Sequence, residues 1–114
     1  MPSSKITIEV ELDEGKVPQS IRWQATDSTA DRMQEAKAFM LSLWDGADKS
    51  ALRIDLWTQK MMVDEMADFF YQTLITMADT FERATQQKEL GEDIKKFSKD
   101  FQNKFKALQM GNRQ

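Results

Sequence analysis

Apolar and polar residues alternate near the start of the chain, with Ile6, Ile8, Val10 and Leu12 on one parity and Thr7, Glu9 and Glu11 on the other. A period of two is that of a half-buried strand. Asp13-Glu14-Gly15-Lys16 and Pro18 supply turn chemistry, after which Ile21, Trp23 and Ala25 alternate with Arg22, Gln24 and Thr26. The pattern predicts a hairpin. Ser28 with Asp31 has the form of a capping box, and Met33, Ala36, Met40, Leu41 and Trp44 follow at helical spacing, widened by Phe39 and Leu43. A helix is therefore predicted from Ser28 to a left-handed stop at Asp45-Gly46. Period two returns over residues 51–57, where Leu52, Ile54 and Leu56 oppose Arg53, Asp55 and Trp57.

Asp64 and Glu65 suit a helix start, and no Gly or Pro interrupts the chain from there to about Gln87. Met66, Phe69, Phe70, Thr73, Met77, Phe81 and Ala84 mark one face, which Ala67, Tyr71, Leu74, Ile75 and Ala78 widen well past the roughly 100° stripe of a helix with one neighbour. After Gly91, a third helix over residues 92–109 carries Ile94, Phe97, Phe101, Phe105 and Leu108. The order strand, strand, helix, strand, helix, helix predicts an α+β fold. Its three-stranded sheet would have the helices packed on one face and Thr7, Glu9, Glu11, Arg22, Gln24, Arg53 and Asp55 on the other. At 114 residues with two prolines and four glycines, a single domain spanning 1–114 is expected.

The absence of Cys and His removes thiolate metal sites, disulfides, and the Ser-His and Cys-His relays. A non-enzymatic protein without cofactor or metal is the expectation. Glu9, Glu11 and Asp55 are the nearest approach to a hard-cation cluster, but two arginines share their predicted face and no loop has the calcium-binding pattern. Residues 1–93 hold ten basic and eighteen acidic side chains, whereas residues 94–114 hold six basic and one acidic. So acidic a body argues against nucleic acid as partner. The first fifteen residues alternate rather than forming the apolar run of a signal peptide, and no stretch reaches the roughly 18 apolar residues of a membrane span. A cytoplasmic location is expected.

Strict alternation places Trp57 on the polar face beside Arg53 and Asp55, where an exposed indole next to an arginine suits a partner contact. A strand end that breaks alternation would turn Trp57 into the core instead. On the third helix Lys95, Lys99, Gln102 and Lys106 make a basic ridge beside the apolar stripe. Docking on the acidic body accounts for that ridge better than contact with a membrane surface. The Phe residues of this helix, Phe101 at their centre, need cover, which raises a homodimer through helices.

Several segments resemble one family: DLWT at Asp55–Thr58, VDEM at Val63–Met66, QTL and MADTFERAT between Gln72 and Thr85, and QEAKAFMLSLWD at Gln34–Asp45. They are similar to the GldC-type gliding-motility proteins of the Bacteroidetes, with a likeness that runs from about Lys5 and weakens beyond Gln87. The resemblance implies a cytoplasmic, non-enzymatic accessory factor acting beside a machinery linked to protein secretion. Its partners would be other motility or secretion-machinery proteins, and it brings no catalytic residues. Two alternatives come from other classes: a small acidic dimeric secretion chaperone, and a small-ligand-binding domain or carboxylate-based enzyme, which would need a deep pocket.

Overall fold

The computed structural model describes residues 2–26 and 32–111. The fold is α+β, as predicted, with five strands followed by two helices. Two compact units divide the chain, strands in Met1–Met61 and helices in Met62–Gln114.

In the strand unit, β1 (Ile6–Leu12) pairs antiparallel with β2 (Pro18–Ala25), which pairs in turn with the short β3 (Gln34–Ala36). Directly opposed residues share a face of the sheet. Ile8 opposite Trp23 and Val10 opposite Ile21 therefore build the apolar side, and Ile21 is fully buried there. Thr7–Gln24 and Glu9–Arg22 build the polar side, with Glu35 facing Arg22 from β3. Register slips at Glu11/Leu12, next to Pro18, which has no N–H to give a ladder. Asp13 organises the β1–β2 turn. Its carboxylate accepts the backbone N–H groups of Gly15 at 2.8 Å and Val17 at 2.9 Å, and the Gln19 amide at 3.1 Å.

Residues 34–45 correct the prediction of a first helix. They form β3 and then β4 (Ala38–Asp45), and β4 pairs with β5 (Ser50–Trp57) over the full length of both strands. The capping box at Ser28 and Asp31 lies outside the described residues. Helix and strand compete in a short apolar run such as Ala38–Trp44 because both templates accept it. Here the turn decides. The Asp45 carboxylate accepts the N–H of Ala47 at 2.9 Å and of Asp48 at 3.2 Å, Lys49 takes a positive φ of 54°, and two eight-residue strands close on each other. The predicted single three-stranded sheet is also corrected. Its third strand, β5, belongs to a separate two-stranded sheet, and β3 takes the place beside β2. The sheets part at Lys37, whose carbonyl accepts both the N–H (2.8 Å) and the hydroxyl (3.0 Å) of the buried Thr58.

The helical unit follows the sequence, except that its second helix starts before the predicted residue 92 and takes Gly91 inside it. Helix α1 (Val63–Thr85) begins where the Glu65 carboxylate accepts the Met62 N–H at 3.1 Å, satisfying a donor the helix cannot. It ends at Gln86, whose left-handed backbone (φ 62°) sends its N–H to the Glu82 carbonyl at 2.8 Å. Helix α2 (Lys88–Gly111) starts two residues later and runs back along α1. Three contacts define the register: Glu82 at Gly91, Asp79 with Lys95 at 2.7 Å, and the Phe70 and Phe101 rings at 6.4 Å. Ala78, Gly91 and Ser98 are buried, so small side chains set a close approach.

Two expectations follow. The hydrogen bond from Val17 above all, helped by those from Gln19 and Gly15, holds the Asp13 carboxyl below its usual range against the opposing effect of desolvation. A depressed folded pKa stabilises the turn above the ordinary Asp value and loses that stabilisation as pH falls through the folded value, so the loss is expected below about pH 4. Amide shifts of Gly15 and Val17 should report this transition, and Asp13→Asn should abolish it. At Gly91, where any Cβ would strike the Glu82 side chain, Gly91→Leu should cost about 1–3 kcal/mol in urea denaturation followed by circular dichroism. An unchanged midpoint would mean that the helices do not meet there.

Candidate functional site

The β4–β5 hairpin carries the residues singled out as a contact surface. Its ladder puts Ala38–Trp57, Met40–Asp55, Ser42–Arg53 and Trp44–Ala51 on one face. The other face holds Phe39–Leu56, Leu41–Ile54 and Leu43–Leu52. Arg53, Asp55 and Trp57 therefore do share a face, as the alternation predicts, but with residues of β4 and not with Glu9 and Arg22 of the first sheet. Trp57 is 58% exposed.

Arg53 and Asp55, two residues apart on β5, form a forked pair. Arg53 Nε donates to Oδ2 at 3.1 Å and Nη2 to Oδ1 at 2.9 Å. Both side chains remain about two-fifths exposed, where such a pair contributes about 0–1 kcal/mol. Stability is thus a weak reason for it. The fork instead holds the guanidinium plane in one orientation, with its remaining donors available to an incoming group.

Trp44 joins this surface and was hidden by the helical reading of its segment. It is 69% exposed and lies at the opposite end of the ladder from Trp57, six residues along the strand, about 20 Å at strand rise. Two indoles bracket a charged fork on a narrow ribbon. The signal that would have found Trp44 is its alternation with Met40 and Ser42 just before an Asp-Gly turn.

Phe101 lies elsewhere, half-buried on α2 with its ring tilted 30° against Phe70. Lys95 of the basic ridge faces acidic residues of α1: it bonds Asp79 at 2.7 Å and lies 4.0 Å from Glu82. The hydrogen bond to Asp79, helped by the charges of the surrounding carboxylates, raises its pKa against the opposing effect of desolvation. A groove of about 460 Å³ on the helical unit is lined by Leu74, Met77, Phe81, Ile94 and Phe97, with Asp93 alone bringing a titratable group. That lining lacks the paired carboxylates that the enzyme alternative requires. Glu9 and Glu11 lie on β1 and Asp55 on the other sheet, and Glu9 and Asp55 each face an arginine, at 3.6 and 2.9 Å. Among the described residues no three His, Cys, Asp or Glu side chains are grouped as a metal would require, and no helix is long and apolar enough to cross a membrane.

No curated protein and no solved structure matches the chain. A family model described as "Gliding motility-associated protein GldC-like" matches residues 18–107, from the start of β2 through most of α2. The match takes in both units and the whole of the bracketed hairpin. The chain belongs to the GldC-like family of gliding motility-associated proteins.

Proposed function

We propose that the chain is a non-enzymatic accessory protein of gliding motility that works in the cytoplasm by docking another protein of the motility or secretion machinery. The docking surface is the β4–β5 face that presents Trp44, Arg53, Asp55 and Trp57. One observation carries the reading: two largely exposed indoles on the same face as an oriented arginine. Trp and Arg dominate the energetics of protein interfaces because they combine large apolar area with directional polar contacts. The low-charge ends and charged middle of the ribbon suit a partner that lays an apolar group at each end and a polar or charged group between them.

The opposite face of the same hairpin favours a second reading. Leu43, Leu52 and Ile54 are each more than half exposed there, and an apolar ribbon of that kind suits a small acidic secretion chaperone that shelters an extended segment.

Affinity capture from the native cell separates the readings. Trp57→Ala, Trp44→Ala and Asp55→Lys should each lose the captured partner while stability stays within about 1 kcal/mol, the range for surface changes. A loss of about 3–5 kcal/mol on Trp57→Ala would place that residue in a core and end the docking reading. Capture that survives all three changes but fails in Leu43→Asp would favour the chaperone.

A further inference from the structure

The helical unit has two unlike sides. On one, Lys95 meets Asp79 and Glu82. On the other, α1 presents Val63, Phe70 and Met77 at seven-residue intervals with Phe81 beside them, between 36% and 74% exposed. Helix α2 presents Leu90, Phe97, Phe101 and Leu108 on the same side, since Met77, Phe81 and Phe97 line one groove and Phe70 touches Phe101. We infer that this side packs against the same side of a second copy of the chain, α2 antiparallel to the partner's α2 and α1 to the partner's α1, to make a four-helix bundle.

Three observations name a second copy as the occupant. The first is area: the open parts of these side chains amount to roughly 800 Å², about what each partner contributes to a stable interface.

The second is charge. Along the open side of α2 run Leu90, Asp93, Phe97, Phe101, Lys104 and Leu108, a series whose apolar members read the same in both directions about the level of Lys99. A two-fold axis there sets Leu90 against the partner's Leu108, Phe97 against the partner's Phe101, and Asp93 beside the partner's Lys104. Opposite charges meet in this antiparallel α2–α2 contact. A parallel one would stack Asp93 on the partner's Asp93, and like charges repel.

The third observation carries the axis from α2 to α1. The contacts of Asp79 with Lys95 and Phe70 with Phe101 set Thr73 and Leu74 level with Lys99. The same axis therefore passes midway between Phe70 and Met77, placing Phe70 against the partner's Met77. One axis satisfies both helices. These residues belong to the helices and not to β4–β5, and the inference does not rest on the docking reading.

Sedimentation of the full chain over a dilution series tests the assignment. Wild type should pass from monomer to dimer with concentration, and Phe97→Asp, a change at a 60% exposed position, should remove the dimer with the circular dichroism spectrum unchanged. Asp93→Lys and Lys104→Asp should each weaken association about tenfold, and the two together should restore it, because each charge again meets its opposite. A monomer at every concentration would leave the apolar side to some other cover and overturn the inference. So would a dimer indifferent to Phe97→Asp, or a double reversal no better than either single change.

Discussion

Two residues separate α1 from α2, and that short connection governs what the helical unit can present. Gln86 takes a left-handed backbone, a conformation that costs a residue other than glycine about 1 kcal/mol or more. In return the chain reverses at once, and Gly91 lands on the Glu82 side chain. From that landing every later contact is counted off, Asp79 to Lys95 and Phe70 to Phe101. Because both helices are amphipathic, fixing the register also fixes which residues go to which side: charges together on one, large apolar groups together on the other.

The strand unit is governed by a comparable tie. Thr58 spends both its backbone N–H and its hydroxyl on the Lys37 carbonyl, the point at which the chain leaves β3 for β4. A break there divides what would be a continuous ribbon into a three-stranded and a two-stranded sheet. Detachment from the first sheet gives β4–β5 two faces of its own. One is apolar, and the other carries the forked pair and its flanking indoles. The DLWT segment therefore holds two unlike neighbours, Thr58 buried as an anchor and Trp57 more than half exposed.

Much of this was legible in the sequence wherever a single period dominated. The first hairpin alternates strictly and has an Asp that can serve its own turn; the helices carry long stripes, and Asp64 and Glu65 mark where α1 begins. Residues 34–45 were not legible, since Ala-Phe-Met-Leu-Ser-Leu-Trp satisfies a helical stripe and a strand with almost equal ease. The outcome depended on a partner strand and a turn further along the chain, information that no local window holds. The same ambiguity hid Trp44, one of the four residues of the proposed docking face. Arg53, Asp55 and Trp57 were identified from their own alternation, but Trp44 could join them only once its segment was seen as the strand opposite. Phe101 was identified for the helical surface, although its contact with Phe70 makes the more open Phe97 the sharper probe.

Every pairing described within the two units joins neighbours in sequence: β1 to β2, β2 to β3, β4 to β5 and α1 to α2. Short loops close at small entropic cost, and folds built from local contacts form fastest. Each β-hairpin can thus assemble as soon as its second strand has left the ribosome, and α1 can pair with α2 as soon as α2 has followed. Such an order of events keeps the apolar ribbon of β4–β5 and the open side of the helices from spending long as unpaired chain, the state in which segments of this character most readily aggregate.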